Sequence, residues 1–287
     1  MDGVRPLRYV VLGHTGFIGS VLYSRLIEKN FDVIGVNSSV VSIYSASGIK
    51  SLSRFGVGLY ESINEYINED TVVFNCVWGK LTLQERDSII HYENAKYEIA
   101  LLKEIKNVKL KSYISFGSIL ELYEPNSDLE KVSKYVQSKR EVHQYLESTE
   151  IPYVWIRVAN VFGLNDSKTR VITQLLKNNA AGTKTVLNHP HKVLNIYHVE
   201  KLIAAVLALV SKPILGTFTA VSETWLTVSE IKKSIESNRE PKYISKNSLL
   251  DLLDSKTILQ IESSSFQNFV KEFNRVHVNG TKAIRRK

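Results

Sequence analysis

Short runs rich in β-branched and aromatic residues alternate along this chain with longer stretches whose apolar positions recur every three or four residues. The first pattern suits strands buried in a sheet, and the second suits helices with one apolar face. Their alternation predicts an α/β protein with a doubly wound parallel sheet covered on both sides. Tyr9–Leu12, Val33–Val36, Thr71–Val77, Lys111–Phe116 and Tyr153–Val158 read as strands. Phe17–Lys29, Glu61–Asn68, Asp87–Lys106 and Leu129–Ser148 read as helices; in the third, Ile89, Ile90, Ala95, Ile99, Leu102 and Ile105 form one broad apolar face. Ser38–Tyr60 is irregular and polar. Beyond Gly163 the regularity loosens into a helix at Val171–Asn178, a strand at Val193–Tyr197 and an apolar helix at His198–Val210. A strand at Gly216–Val221 follows, then a helix at Thr227–Glu236 that Thr227 or Ser229 can cap. The last fifty residues read as short, polar-interrupted segments of a small lobe.

Composition narrows the class. The 287 residues are 44% hydrophobic and 23% charged, which suits a globular chain with ample core. The longest strongly apolar stretch, Leu202–Val210, is too short to span a bilayer, and the first residues hold no signal-peptide segment. One cysteine, Cys76, excludes internal disulfides and suits a reducing compartment. The expectation is a cytoplasmic protein without a membrane partner. The net charge of +8 invites a nucleic-acid reading, but four of those charges sit in the basic tail Lys282, Arg285, Arg286 and Lys287. The rest mix with acids and form no aromatic-basic stripe, so no nucleic-acid partner is expected.

The stretch Tyr9-Val-Val-Leu-Gly13-His14-Thr15-Gly16-Phe17-Ile18-Gly19 carries the first chemistry. A strand runs into a glycine turn that opens a helix, which is what a pyrophosphate site needs. Gly13 lets the chain turn, Gly16 lets backbone approach phosphate, and Gly19 lets helix and strand pack closely. The helix N-terminus then presents N–H groups and a partial positive charge to an anion. The expected fold is therefore Rossmann-type, with a smaller, interleaved C-terminal α/β substrate lobe. Residues 1–162 plus about 193–222 form the dinucleotide-binding lobe, and about 163–192 plus 223–280 the substrate lobe, with 281–287 as tail.

The second motif is Tyr135-Val-Gln-Ser-Lys139. Residues four apart share a helix face, and a lysine ammonium there favours the phenolate. A tyrosine so placed can act as acid or base near neutral pH, which its free pKa of about 10 forbids. The pair follows a strand ending Ile114-Ser115-Phe116-Gly117-Ser118, so a small hydroxyl stands at the carboxyl end of a strand, where open α/β sheets bind ligands.

With these residues in order, the chain resembles an extended short-chain dehydrogenase/reductase, the superfamily of nucleotide-sugar epimerases, dehydratases and reductases. The resemblance rests on Gly13–Gly19, on Asn75-Cys76-Val77, on Asn94, on Ser118 with Tyr135 and Lys139, and on Arg157-Val-Ala-Asn160-Val-Phe-Gly163. Leu194–Glu200 and Gly216–Val221 echo the family further on. The resemblance implies that Tyr135 exchanges a proton with a sugar hydroxyl or carbonyl, that Lys139 lowers the tyrosine pKa and binds the nicotinamide ribose, and that Ser118 orients the reacting oxygen. It implies substrate contacts from Ser118 and Asn160. It also implies cofactor contacts from Gly13 to Gly19, Asn37, Ser38, Cys76, Val77, Trp78, Tyr135 and Lys139. A homodimer through a helix pair that includes the Tyr135 helix is a further implication.

Departures from the family pattern shape the rest. The second strand ends Val36-Asn37-Ser38-Ser39 with no acid for the adenosine ribose, which favours NADP(H) over NAD(H); His14, Lys50 or Arg54 is left to meet a 2′-phosphate. The interval from Ser118 to Tyr135 is short, so Ser115 is an alternative hydroxyl. Glu121 reads as a solvated loop residue, and no acidic pair replaces the serine region. That tilts the expected reaction away from dehydration, toward 4-keto reduction or epimerisation of a nucleotide-activated sugar. Asn195 and His198 stand near where a later acidic pair is usual. A nucleotide-sugar dehydratase, or a non-catalytic NAD(P)-binding sensor or scaffold of the same fold, is the alternative. His189-Pro-His191 has too few ligands nearby for a metal, Cys76 reads as inert, and Asp251 and Asp254 read as the wet side of a helix.

Overall fold

The computed structural model describes residues 7–37, 40–45, 48–53, 63–79, 81, 85–122, 132–167, 170–212, 214–244, 257–262 and 266–284. Ser38, Arg54, Asp251 and Asp254 lie outside them.

The chain begins with β1 (Arg8–Leu12), α1 (Phe17–Glu28) and β2 (Asp32–Val36), then a hairpin of β3 (Val40–Ser45) and β4 (Gly48–Ser53). A 3₁₀ turn at Ile63–Tyr66 leads to β5 (Thr71–Asn75), α2 (Ile90–Ile105), β6 (Ser112–Ser118), α3 (Lys134–Glu147) and β7 (Tyr153–Val158). Then come β8 (Asn160–Phe162), α4 (Val171–Ala180), β9 (Val193–His198), α5 (Val199–Val210) and β10 (Gly216–Ser222). The described chain closes with β11 (Trp225–Thr227), α6 (Val228–Ser237), β12 (Ile258–Ile261) and α7 (Phe266–Ile284).

The large sheet has the order β12-β10-β7-β6-β5-β1-β2-β3-β4. Pairing from β10 through β2 is parallel throughout, while β2–β3 and β3–β4 are antiparallel. Every residue of β5 and β6 is buried, as strands covered on both faces require. From β1 the chain moves one way to β2, then returns past β1 to β5, β6 and β7. Right-handed crossovers therefore put α1 on one face and α2 with α3 on the other, as the alternating pattern predicts. The order reverses between β1 and β5. Leu12 pairs with both Val36 and Asn75, so the carboxyl ends of β2, β1 and β5 stand level at that reversal. Ligands of open α/β sheets bind at this point.

Cα proximity groups the described residues of Met1–Val158 and Leu209–Thr219 in one compact unit, and those of Ala159–Ala208 and Ala220–Lys287 in a second. Residues 193–208, expected in the dinucleotide lobe, thus group with the second unit. The first unit has a core of Val10, Leu12, Ile34, Val73, Ala95, Leu102, Tyr113, Val142 and Trp155 with their neighbours. In the second, the small sheet β11-β9-β8 and helices α4, α6 and α7 enclose Phe162, Leu176, Ile196, Leu226, Ile231, Phe266, Val270 and Phe273.

Four expectations about elements need correction. Of Glu61–Asn68, read as a helix, the described residues form only the 3₁₀ turn Ile63–Tyr66. Within 38–60, read as irregular, β3 and β4 extend the sheet; pairing to the edge of β2 supplies order that their weak alternation does not announce. The C-terminal region carries α7, a helix of 19 residues in place of short segments. Phe266, Phe269, Val270 and Phe273 have helical spacing and are buried on one side of it. On α2 the buried positions are His91, Ala95, Glu98, Leu101, Leu102 and Ile105, while Ile89 is 70% exposed. The polar His91 and Glu98 hid the true inner face.

Candidate active site

The glycine turn is built as its sequence requires. Gly13 has φ +76°, a left-handed conformation that other residues adopt at a cost, and its N–H donates to the Val36 carbonyl at 2.7 Å. Gly19 packs so tightly under the turn that a Cβ there would overlap the Gly13 carbonyl oxygen and lie 2.8 Å from its carbon. Gly16 is the N-cap of α1, with no side chain capping it and no acid in the first turn. Thr15 and Gly16 are exposed there, so backbone and helix dipole are presented at the switch point. Asn37, at the end of β2, donates from Nδ2 to Thr15 Oγ1 at 3.3 Å. His14 turns inward instead. It is 7% exposed against Tyr23, with ring centroids 5.0 Å apart, and Gly35 leaves the space its ring fills. Its imidazole is therefore not presented to a 2′-phosphate, contrary to the expectation.

The segment after β5 lies directly against this turn. Cys76 N–H donates to the Leu12 carbonyl at 3.0 Å, and a Cβ on Gly13 would meet Val77 at 3.0 Å and the Cys76 backbone at 3.2 Å. Asn75 Oδ1 accepts from Val77 N–H at 3.1 Å, and Asn94 Nδ2 donates to the Gly79 carbonyl at 3.3 Å, fixing the segment at both ends. Burial pushes the Cys76 thiol well above its ordinary range, so it is a packing residue and not a thiolate. Trp78 then reaches α3. Its ring lies 3.4 Å from the Lys139 ammonium, and Tyr135 packs edge-on to it with centroids 6.1 Å apart.

Helix α3 starts at Lys134, where Ser133 Oγ accepts from Val136 N–H at 3.4 Å. Tyr135 is half-buried and Lys139 only 4% exposed one turn on. Lys139 donates to the Phe116 carbonyl at 2.7 Å. Burial lowers its pKa from 10.5 to about 8, against the pull of Glu98 and Glu121.

The two serines of β6 have different surroundings. Ser115 is fully buried and its hydroxyl donates to Glu98 Oε1 at 2.6 Å, where Tyr113 also donates at 3.0 Å. Ser118 ends the strand, and its Oγ accepts from Leu120 N–H at 3.2 Å. Glu121 is not a solvated loop residue: it is 6% exposed. It accepts from Ser118 N–H, from the Trp155 indole at 3.1 Å and from Arg157 Nε at 3.3 Å. Desolvation raises its pKa, and these donors hold it back. Gly117 is glycine because a Cβ would collide with Glu121 and Trp155. Sequence reasoning missed Glu121 and Glu98 as buried carboxylates, and missed His91, whose Nδ1 accepts from Trp78 Nε1 at 3.1 Å. The side chains that bury them, Trp155 and Arg157 for Glu121, Tyr113 and Ser115 for Glu98 and Trp78 for His91, lie at least a dozen residues away, so no local pattern marks them.

Asn160 belongs to the second unit, where its Nδ2 donates to the Asn195 carbonyl at 3.1 Å. Asn195 is itself buried, exchanging hydrogen bonds with the Ser222 backbone at 2.8 and 3.1 Å. His198 lies between Phe162 and Phe269, and its Nδ1 accepts from Glu200 N–H at 3.3 Å. The first unit thus gathers Gly13–Gly19, Asn37, Cys76, Val77, Trp78, Tyr135 and Lys139 in one connected set.

The sheet order, with a glycine turn at its reversal, defines a protein of the Rossmann-type α/β fold. The model of the NAD dependent epimerase/dehydratase family matches residues 9–217, and the chain belongs to that enzyme family. CDP-abequose synthase of Yersinia pseudotuberculosis is 23% identical over 211 residues, which cover 71% of this chain and 74% of that protein. A UDP-N-acetylglucosamine 4-epimerase from Methanobrevibacter ruminantium, solved with UDP-N-acetylmuramic acid, superposes with a TM-score of 0.71 at 16% identity, covering 96% of this chain and 99% of that one. UDP-glucose 4-epimerase of Thermus thermophilus, in complex with NAD, gives 0.69 at 16% identity, covering 94% and 99%. No helix among the described residues is long and apolar enough to cross a membrane.

Proposed function

We propose that this protein acts on a nucleotide-activated sugar, reducing a 4-keto group or epimerising one carbon, with Tyr135 as acid/base. The observation that carries this reading is the connected set around α3: Tyr135 and Lys139 stand one turn apart, joined through Trp78 to the segment packed on the glycine turn. The turn fits a dinucleotide: Gly13 and Gly19 let turn, helix and neighbouring strand pack closely, and exposed Gly16 leaves the start of α1 open to a pyrophosphate. Thr15, Gly16 and the first turn of α1 would hold the phosphates, Asn37 the adenosine ribose, and Val77, Trp78 and Lys139 the nicotinamide end. Bound there, the cofactor supplies hydride transfer.

The protein's own groups supply the proton chemistry. Tyr135 gives or takes the proton of the sugar oxygen, and the Lys139 ammonium favours its phenolate. Ser118, at the strand end, orients that oxygen, whereas the Ser115 hydroxyl is committed to Glu98. The commitment of Glu121 to Ser118, Trp155 and Arg157 supports reduction or epimerisation over dehydration, which calls for a carboxyl free to reach the sugar. Neutral Asn37 at the end of β2 supports NADP(H) over NAD(H), since no carboxylate there repels a 2′-phosphate. The exposed Ile89 and Tyr97 beside and on α2 support a homodimer through α2 and α3.

The test is to denature the purified protein, quantify released cofactor, and measure melting temperature with NADPH and a panel of UDP- and CDP-linked sugars. A reductase should release little and bind added NADPH, while an epimerase should release near-stoichiometric NAD. A protein stabilised by dinucleotide alone, and by no sugar nucleotide, would sink the reading in favour of a sensor.

A further inference from the structure

Lys139 sits in a cage that neither the glycine turn nor the strand end demands. Its ammonium lies 3.4 Å from the Trp78 ring centroid and 5.7 Å from that of Trp155. Trp78 is itself locked: its Nε1–H donates to His91 Nδ1 at 3.1 Å, and His91 Nε2 lies 2.9 Å from the Glu85 carbonyl. One tautomer satisfies both contacts, the neutral ring with its proton on Nε2 donating to Glu85. Burial lowers the His91 pKa and so favours that neutral form. The Trp78 and His91 rings lie 16° from parallel with centroids 6.3 Å apart. Tyr135 meets both edge-on, at 6.1 Å and 82° to Trp78 and at 5.2 Å and 65° to His91. A single indole therefore touches both members of the Tyr–Lys pair, and a buried histidine sets its orientation.

We propose that Trp78, oriented by His91, is a positioning residue that holds the Lys139 ammonium in place and charged beside Tyr135. As a statement about catalysis this rests on the reading of Tyr135 and Lys139 given above; as a statement about the ammonium it stands alone. An ammonium stripped of water is drawn to the negative face of an aromatic ring, most strongly to tryptophan. Titratable groups face Lys139 from each neighbouring element: Glu98 from α2 and Glu121 from the turn after β6 favour its charged form, while Cys76, from the segment after β5, is a neutral thiol. Desolvation works against them and outweighs them, so the indole face is placed where the charge needs support. A charged Lys139 in turn favours the Tyr135 phenolate.

The experiment titrates Lys139 directly, in full-length protein labelled with ¹³C-lysine, its Cε–Hε signal identified by its loss in Lys139→Met. In the wild type, the overlying indole should displace that signal upfield, and the midpoint should lie at about 8. Trp78→Leu should abolish the upfield displacement and lower the midpoint by about one unit, a tenfold change in the protonation equilibrium. Trp78→Phe, which keeps a ring, should fall between. His91→Phe keeps aromatic packing but removes the acceptor for the indole N–H, and should reduce the displacement and midpoint in part. A folded Trp78→Leu protein with wild-type displacement and midpoint overturns the proposal. Should that variant fail to fold, identical readings in Trp78→Phe, His91→Phe and wild type overturn it equally. Because the titration needs no substrate, its failure leaves the functional reading standing, and an active Tyr135→Phe would sink the functional reading while leaving the indole–ammonium contact intact.

Discussion

Lys139 is buried at a cost that can be measured. Its ammonium is nearly water-free, and burial brings its pKa from 10.5 down to about 8. Between those two values the unfolded chain binds a proton that the folded chain does not. Stability therefore rises with pH across that window, and below about pH 8 the folded protein carries the full cost of the buried charge. Compared with Lys139→Met, the wild type should gain up to about 1.4 kcal/mol per pH unit between pH 8 and 10. Urea unfolding of both proteins at pH 8, 9 and 10 checks this, and parallel stability curves would show that the ammonium is better solvated than its cage suggests. A residue kept at such a cost is the kind a site retains for chemistry. The Tyr135–Lys139 spacing was legible in the sequence because a helix turn is local. The indole over the lysine and the histidine behind it were not, because Trp78, His91 and Lys139 meet only after β5, α2 and α3 have packed. Glu121 misled for the same reason: an acid three residues beyond Ser118 looks wet until Trp155 and Arg157 arrive from β7.

At the scale of elements, the strand-turn-helix at the N-terminus is the part most completely written in local sequence. Each glycine there has a separate steric task, and the task of Gly19 is the strictest. Gly19→Ala would push α1 away from the Gly13 carbonyl, widening the turn against which Cys76 and Val77 pack. The variant should fold, yet bind dinucleotide at least tenfold more weakly by calorimetry, as a loss of about 1.4 kcal/mol or more requires. Unchanged affinity would mean that the turn is a packing device and not a phosphate cradle. The strands of the parallel sheet were legible because burial on both faces leaves continuous apolar runs. The hairpin β3–β4 was not, because an edge strand owes its shape to the strand it pairs with. Helix α7 was legible in principle: Phe266, Phe269, Val270 and Phe273 have the spacing of one helix face, overshadowed by the polar residues between them.

For the whole molecule, the order of elements specifies more than any one motif does. Strand-helix alternation with right-handed crossovers leaves a sheet whose order reverses beside β1, and that reversal decides where a ligand can sit before any side chain is considered. The loosening of pattern beyond Gly163 marks where local sequence stops announcing its elements. Cα proximity groups β8, β9 and most of α5 with the second unit, a grouping that their apolar runs do not mark. Within this frame Tyr135 is the residue proposed to move the proton of a nucleotide-sugar substrate. The most direct test compares wild type with Tyr135→Phe, measuring turnover of UDP- and CDP-linked sugars alongside dinucleotide affinity. Turnover should fall by about 10²- to 10⁴-fold while dinucleotide affinity is unchanged. Near-normal turnover by the variant would contradict it.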